Sequence, residues 1–486
     1  MIGLFQGRVR RIVSAAAAAI LMALGLATPA PAISPVTRAI LLTNGSAQLG
    51  PVINRAGGVY ALRRLATGFS GALVNVRRDS DNAAIDVGLS GNDLDTVSLL
   101  NFVNPNYIWN SSMSGCAAGS PGTLPTGFLT VGQGFNGLNW QVTACSTDSL
   151  TIRYYGTPTG SRFFTLQMPA TGTQPAGSQW TLSETITLVA GSMANISLPV
   201  MAINGAQSSV AINPTSTPTA YTTTDFPSTA GPIQAYLLRL GYTVGQPIDV
   251  TLTIDHPQLN AGVTAQAYVS AAASGLASGY VTKWYDQSPA GNTVSQAAAV
   301  SQPQLVSAGA LNTINNRPAL YFSNSNLQTS GAATWLSSSS YVINAVEQNT
   351  LGAPLHSYLM GTVNLSAGND TVLHVGWRAA NDWIIAQYSD DADYATSTVT
   401  APQIFSGTKT AAGSELRFNG SLMGANSSPT GTLATNSPFV IGFANSPTYY
   451  WVGTVAEVLL FPNSISVAQR QLLEHNQETV FAIAGQ

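Results

Sequence analysis

The chain has 486 residues, only 8% of them charged, and a formal net charge of −3. Its hydrophobic content of 45% disfavours an intrinsically disordered chain. The acidic balance argues against a nucleic-acid partner, because nucleic-acid binding normally requires a basic surface. At about 100–200 residues per domain, we expect two or three domains.

The first 32 residues have the pattern of a secretory signal. Three arginines within residues 8–11 precede an uncharged run at 12–27, and small residues at 30–32 offer a cleavage site. The run is shorter than the roughly 20 residues that span a bilayer, so we expect no membrane span in the mature chain. Cleavage would leave 15 basic and 21 acidic residues, a net charge of −6. We therefore expect a secreted or periplasmic protein.

Two segments are predicted to be helical. The first is GGVYALRRL, from Gly57 to Leu65, and the second begins near Ser466, a residue type that commonly caps helix N-termini. Apolar residues at 468, 472 and 473 would lie on one face of the second helix.

Two cysteines, Cys116 and Cys145, are present in the whole chain. In an exported protein they are expected to form a disulfide that closes a loop of about 30 residues and contributes about 3 kcal/mol to stability. Two buried thiols are the alternative. A metal site is not expected, because two cysteines and four scattered histidines do not form a ligand set.

Elsewhere, alternation of apolar and polar residues dominates. The segments WTLSETITL (residues 180–188) and IDVTLTI (residues 248–254) both alternate with the period of two that β-strands require. Turn signals separate such segments, at Asn44-Gly45, Asn204-Gly205 and Asn419-Gly420. The pattern predicts an all-β protein with a sandwich architecture.

Several segments then carry a family resemblance. These are YALRRLATGFSGALVNVRRDSDNAAIDVG (residues 60–88), GYVTKWYDQSPAGNTVSQ (279–296) and NRPALYF (316–322). In combination they resemble the α-L-arabinofuranosidase B catalytic domain, a concanavalin A-like β-sandwich. The family has a Tyr-Asp-Gln-Ser segment like the one at 285–288. GTVAEVLLF (453–461) resembles its closing strand, and equally the last strand of laminin-G-like domains.

About 170 residues separate two segments that the family joins within a few residues, DLDTVSLLNFV (93–103) and GYVTKWYDQS (279–288). The intervening part resembles the jelly-roll carbohydrate-binding modules found beside such sandwiches. We therefore expect residues 33–104 and 269–486 to form a discontinuous outer sandwich, with residues 105–268 inserted as a second sandwich. Such insertion is tolerated where the termini of the inserted domain lie close together.

The charged stretch VRRDSDNAAIDVG (residues 76–88) stands out in so charge-poor a chain. Strand alternation would place Arg77 and Asp81 on one side and Arg78 on the other. Because unpaired buried charge is costly, we expect Asp81 and Asp286 to accept backbone hydrogen bonds or to pair with the arginines. Solvated edge charges and a binding site are the alternatives.

The catalytic residues that the resemblance implies are missing. The family is expected to supply a nucleophilic Glu in an Asp-x-Glu-Asn-Gly segment and, as general acid, an Asp that follows a Gly. It is also expected to have two adjacent cysteines at the sugar site. Here no glutamate precedes Asn-Gly, IGFANSPTYYWVG (residues 441–453) contains no Asp, and no cysteines are adjacent. Replacement candidates are Asp391, in the acidic run YSDDADY, and Glu457, in TVAEVLLF. For Asp391 the alternatives are a solvated turn or a calcium-binding loop. For Glu457 the alternative is a structural hydrogen bond. We expect no cofactor.

Aromatic residues favour sugar binding, because sugar rings stack their C–H faces on flat side chains. The candidate binding residues are Trp377, Trp383, Asn445, Tyr450 and Trp451. For the tryptophans the alternative is packing in the hydrophobic core. Since strand neighbours alternate, at least one of residues 449–451 should be exposed.

The sequence thus predicts an exported glycan-binding protein on an arabinofuranosidase B-like scaffold, with an arabinose-containing or other polysaccharide as partner. One alternative is an active α-L-arabinofuranosidase, a retaining glycoside hydrolase with rearranged carboxylates. The other is a cell-surface or phage-like adhesion module that recognises protein.

Overall fold

The computed structural model of the protein describes residues 49–131, 137–160, 163–168, 171–204, 208–272, 275–363 and 368–485. The predicted signal peptide and the Asn44-Gly45 turn signal lie outside these residues, as does Gly205. Within them the predicted all-β sandwich fold is confirmed, since strands pairing in sheets make up most of the secondary structure.

The strands fall into two groups. The first group comprises the strands before residue 129 together with those after residue 261. It consists of β1 (Gly58–Ala61), β2 (Val74–Arg78), β3 (Ala84–Val87), β4 (Leu89–Ser90) and β5 (Asp93–Leu94), followed after the second group by β18 (Gly279–Trp284), β19 (Val294–Ser295), β20 (Gln304–Ser307), β21 (Ala310–Leu311), β22 (Thr313–Ile314), β23 (Arg317–Pro318), β24 (Leu320–Phe322), β25 (Leu327–Ala332), β26 (Tyr341–Asn349), β27 (Ser357–Thr362), β28 (His374–Ala379), β29 (Asp382–Ala386), β30 (Asp391–Ala395), β31 (Gln403–Thr410), β32 (Gly413–Phe418), β33 (Ser421–Asn426), β34 (Pro438–Ile441) and β35 (Gly453–Phe461).

The second group consists of β6 (Leu129–Val131), β7 (Leu138–Ser146), β8 (Ser149–Gly156), β9 (Phe164–Gln167), β10 (Thr173–Gln174), β11 (Trp180–Gly191), β12 (Ile196–Ile203), β13 (Ser208–Ala211), β14 (Thr219–Asp225), β15 (Gly231–Pro232), β16 (Ala235–Tyr242) and β17 (Ile248–Ala261). Ten of these strands form two five-stranded antiparallel sheets, in the orders β14-β11-β17-β8-β7 and β13-β12-β16-β9-β6.

The large sheet of the first group closes on itself as two layers. One layer runs from β3 through β2, β18, β20, β24, β35, β26 and β31 to β32 and β33, and the other joins β25, β34, β27, β28, β29 and β30. The layers touch where the Trp383 ring of β29 lies 5.0 Å from the Phe405 ring of β31. Apolar side chains at alternate strand positions fill the space between them.

Strands of the second group pair only with one another, so the sequence-based boundaries of the inserted module are compatible with this topology. We retain the division at residues 104/105 and 268/269 as a proposal. The two groups meet at asparagines: the partly buried Asn101 side chain exchanges two hydrogen bonds with the backbone of Ala261. Within the first group, Asn104 does the same with Ala277. Asn106 donates to the carbonyls of Pro257 and Val269.

Two α-helices accompany the strands, α1 (Thr96–Val103) and α2 (Val467–Phe481), together with 3₁₀ turns at Ala299–Ser301 and Thr334–Leu336. Residues 49–53 are also helical. The predicted cap of α2 is confirmed, because the Ser466 hydroxyl accepts from the Gln469 amide and the Gln469 side chain accepts from the Ser466 amide.

The helix predicted over Gly57–Leu65 is wrong. Residues 58–61 form β1, which pairs antiparallel with β35 from Gly58 opposite Leu460 to Ala61 opposite Glu457. All four residues of β1 are buried, so cross-strand hydrogen bonds and packing on both sides outweigh the helical tendency of alanine, leucine and arginine.

The predicted disulfide between Cys116 and Cys145 is confirmed. It ties the loop that precedes β6 to the end of β7. We expect reduction to lower the free energy of unfolding by about 3 kcal/mol, because the open chain gains loop entropy when it unfolds. Chemical denaturation with and without a reductant measures this, with the double variant Cys116→Ser/Cys145→Ser as control. An unchanged midpoint on reduction would contradict the prediction.

Candidate functional site

The charged stretch forms a hairpin rather than one long strand. Strand β2 ends at Arg78, so Asp79 and Asp81 lie in the turn before β3, and the predicted alternation does not reach them. Arg78 holds Asp81 through two hydrogen bonds of 2.8 and 2.6 Å, and the Ala83 amide donates to the same carboxylate. These bonds, chiefly that from Arg78, hold the pKa of Asp81 well below its usual range. Arg77 instead hydrogen-bonds Gln302 and Asn82.

Asp286 is buried where β1 enters the sheet. Its carboxylate accepts from the amides of Val59, Ser288 and Asn292 at 2.7–2.8 Å, although burial still raises the pKa of Asp286. The next side chain, Gln287, accepts from the Leu65 amide at 2.9 Å. These bonds to backbone amides show that the Tyr-Asp-Gln-Ser segment fastens β1 to the sheet.

Glu457 is fully buried beneath α2. A β-bulge in β35 at Ala456 turns Glu457 away from the core, where its carboxylate meets Arg63 Nε at 2.5 Å and Gln477 Nε2 at 3.0 Å. A small pocket beside it is lined by Arg63, Asp93, Arg317 and Glu457. Glu457 is thus placed as a buried partner of Arg63.

The tryptophans predicted to bind sugar lie in the hydrophobic core. Trp377, Trp383 and Trp451 are each 0% exposed. Trp377 and Trp383 are cross-strand neighbours with rings 5.0 Å apart, and Trp451 lies 6.4 Å from Trp383. These positions correct the prediction, because protein side chains already cover the ring faces that a sugar would need.

The opposite face of the same strands carries polar side chains beside the buried apolar Ile384 and Ala386. In β28, β29 and β30 the residues that alternate with the tryptophans point away from the core. We name the outer-face cluster as these residues with their neighbours from β27 and two loops: His356, Tyr358, His374, Arg378, Asp382, Asp391, Asp393 and Tyr449. The predicted candidate Asp391 thus belongs to it. Tyr450 and Asn445 border it through backbone bridges to Tyr358 and Val363.

Arg378 lies at the centre of the cluster. Its guanidinium contacts Asp391 Oδ2 at 2.5 Å and the carboxylate of Asp393. Asp382 and Asp393 lie on the same face of the β29–β30 pair, since Asp393 is opposite Ile384. Burial together with the Asp393 carboxylate raises the pKa of Asp382.

Four aromatic rings lie in a row beside this charged centre. The His374 and Tyr358 rings are 5.3 Å apart, Tyr358 meets Tyr449 edge to face at 5.8 Å, and Tyr449 lies 4.5 Å from His356. Tyr449 and His356 are partly exposed, whereas Tyr358 is buried in a small apolar group with Ile384. The rings therefore form a short row that reaches the surface beside hydrogen-bonding groups.

His374 forms the floor of the cluster and is only 4% exposed. Its Nδ1 lies 3.3 Å from the carbonyl of Val372, which can only accept, so Nδ1 carries the proton and Nε2 presents a lone pair. Burial lowers the pKa of His374, which favours this neutral form. Among the described residues, Asp391 Oδ1 is buried without a hydrogen-bond partner.

Four residues of the cluster were not predicted from the sequence: His356, Tyr358, Arg378 and Asp382. A signal was available, since in HVGWRA and DWIIA the residues beside each tryptophan must point to the opposite face. Across the described ranges no group of three or more His, Cys, Asp or Glu could hold a metal ion. No helix in those ranges is long and apolar enough to cross a membrane.

No protein-family model and no curated protein matches the sequence. Among solved structures, an arabinofuranosidase complexed with arabinofuranosyl-α-1,2-xylobiose is 12% identical, with 89% of this chain and 64% of that chain covered and a TM-score of 0.43. The chain thus spans just under two thirds of that structure's length. A carbohydrate-binding module of a Ruminococcus gnavus sialidase bound to α2,6-sialyllactose is 10% identical, covering 32% of this chain and 96% of that one, with a TM-score of 0.25. At such identities the similarity assigns no activity.

Proposed function

We propose that the chain is an exported glycan-binding protein and that the outer-face cluster is its sugar site. The observation that carries the proposal is the row of rings that surfaces at Tyr449 and His356 next to Arg378 and three aspartates. Sugars are bound in this way, with C–H faces on aromatic rings and hydroxyls on charged or amide groups. Export is supported by the N-terminal sequence pattern and by the disulfide.

The same geometry disfavours hydrolysis by the sequence-predicted carboxylates. Asp391 and Asp393 both pair with Arg378, and Glu457 is enclosed with Arg63. A retaining glycosidase needs one carboxyl as proton donor and a second, free carboxylate about 5–5.5 Å away as nucleophile. Carboxylates already engaged by arginine are poor candidates for either role.

Hydrolysis is the second candidate function, because burial and the neighbouring Asp393 carboxylate raise the pKa of Asp382. Such a pair can supply a proton donor and a base. Asp393 is, however, already paired with Arg378.

The test combines a glycan array with calorimetry on the best array ligand and an assay with an aryl α-L-arabinofuranoside. We expect saturable glycan binding, and turnover at the uncatalysed rate. Tyr449→Ala should weaken binding about threefold to tenfold through lost ring contact. The control is Tyr155→Ala, which removes a partly exposed tyrosine from β8 in the other strand group.

Three outcomes would overturn the proposal. Turnover that disappears in Asp382→Asn would establish a hydrolase. Equal loss of binding in the Tyr449 and Tyr155 variants would show that the sugar site is not in the outer-face cluster. Absence of any glycan binding, together with capture of a protein partner, would favour the adhesion module.

A further inference from the structure

We infer that the second strand group carries a separate site, centred on Arg239, for the carboxylate group of an acidic saccharide. The site lies on the sheet β13-β12-β16-β9-β6, on the side turned away from the core of that group. That the carboxylate belongs to a saccharide rests on the proposed function, whereas the anion chemistry rests on Arg239 and the residues around it.

Cross-strand pairing defines this face of the sheet. Thr165 in β9, Arg239 in β16 and Val200 in β12 are opposite one another in register, so the three side chains share one side of the sheet. Phe164, which precedes Thr165, points the other way, and its ring lies 4.7 Å from the ring of Tyr154 in the facing sheet. Arg239 is therefore on the outer side.

The charge of Arg239 is not balanced by any side chain in the described ranges. Arg239 is the one charged residue of β6, β9, β12, β13 and β16, and none of the ion pairs among the described residues includes it. Its Nη1 is shielded from solvent and has no hydrogen-bond partner among those residues. Because a buried N–H of a charged group is costly when it lacks an acceptor, an acceptor supplied by a ligand would stabilise this arrangement.

The guanidinium of Arg239 is held against an aromatic ring. Its Cζ lies 3.9 Å from the centre of the Phe163 ring, a distance typical of stacking. Stacking occupies one flat face of the guanidinium and leaves its edge, where the N–H groups lie, for an acceptor. A planar carboxylate matches two parallel N–H groups on such an edge, so this arrangement favours a carboxylate over a neutral hydroxyl.

Polar groups beside Arg239 can contact the rest of a sugar. Thr165 and Gln167 in β9 are 6% and 9% exposed, and the Thr165 hydroxyl donates to Gln167 Oε1 at 3.4 Å. Tyr236 and Leu129, which lie opposite Gln167 on either side, are more exposed. The face thus presents a recessed amide and hydroxyl between an aromatic and an apolar side chain, as sugar sites do.

The experiment compares three probes by calorimetry at neutral pH: galacturonic acid oligomers, the methyl esters of the same oligomers, and a sulfated neutral oligomer of similar length. The acid and its ester share their ring and linkage, so their difference isolates the carboxylate charge. We expect the acid to bind at least about tenfold more tightly than the ester, and more tightly than the sulfated oligomer. Added salt should shrink the preference over the ester. The net charge of −3 opposes anion binding, so such a preference must arise locally.

Arg239→Gln should reduce the preference for the acid to about twofold or less, and Arg239→Lys, which keeps the charge without the planar fork, should retain only part of it. Arg153→Gln is the matched control and should keep the preference. Arg153 also lies over a ring, 4.6 Å from the centre of Tyr155, but it is already paired with Asp249. Tyr449→Ala should keep the preference as well. If Arg239→Gln does not fold, Arg239→Lys and the comparison of probes still test the inference.

Equal affinity for the acid and its ester, tighter binding of the sulfated oligomer, or an acid preference that survives in Arg239→Gln would overturn this inference. Each of these results leaves the sugar site in the outer-face cluster standing, because the array and Tyr449→Ala test that site. Acid binding that depends on Arg239, together with no glycan binding that depends on Tyr449, would instead support this site and overturn the one in the outer-face cluster.

Discussion

Replacing Glu347 by glutamine should stabilise the protein, and the gain should grow from acid to alkaline pH. Glu347 lies in β26 and is 0% exposed, and neither carboxyl oxygen has a hydrogen-bond partner. Burial raises the pKa of Glu347 from the ordinary 4.5 to about 8. The folded protein therefore holds this proton more tightly than the unfolded chain does.

The sign of the pH effect follows from linkage. Because the folded state binds the extra proton, stability falls as pH rises from about 4.5 to about 8 and then levels off. At about 1.4 kcal/mol per pKa unit, ionisation of Glu347 costs up to about 4–5 kcal/mol at alkaline pH. Glutamine cannot ionise, so Glu347→Gln removes this cost.

Denaturant unfolding at several pH values measures the prediction. The difference between Glu347→Gln and the unmodified protein isolates Glu347 from Glu184, a second buried carboxyl whose pKa burial raises. Glu415→Gln serves as control, because Glu415 is half exposed and pairs with Arg417 at the surface. Parallel stability curves for Glu347→Gln and the unmodified protein would contradict the prediction.

Replacing Trp383 by alanine should destabilise the fold by about 3–5 kcal/mol, the usual cost of removing a large aromatic side chain from a core. Its ring contacts those of Trp377, Phe405, Phe418 and Trp451, so no neighbour can easily fill the space. Sugar affinity of the molecules that remain folded should be unchanged, because the ring is on the core side of β29.

Thermal or denaturant unfolding gives the stability change, and calorimetry under conditions where the variant is folded gives the affinity. Tyr450→Ala is the control, since Tyr450 is partly exposed and its loss should cost much less stability. A Trp383→Ala variant with native stability and lost sugar binding would restore the tryptophan as a binding residue.

The fold class, the cap of α2 and the disulfide could be predicted because each depends on local or pairwise sequence features. Period-two alternation defines a strand, and Ser466 followed by Gln469 defines a helix start. The failure at Gly57–Leu65 shows the limit, since β1 exists only because β35 lies beside it.

The site was harder to predict, because alternation separates two faces without saying which one meets the core. Trp377 and Arg378 are adjacent in sequence, yet Trp377 is fully buried and Arg378 is partly exposed. Glu457 illustrates a second limit: the bulge that turns it toward Arg63 depends on the pairing of β35 with β26. The unpartnered state of Glu347 likewise depends on side chains distant in sequence.

The contacts of Asn101 and Asn106 between the two groups of strands restrain one group against the other. Asn101 exchanges two hydrogen bonds with the backbone of Ala261, and Asn106 donates to the carbonyl of Val269. Bending at this junction would break several hydrogen bonds at once, each worth about 0.5–1.5 kcal/mol. A long polymer lying across both sandwiches would therefore meet two surfaces whose separation is restrained, and the polymer would have to match that separation itself.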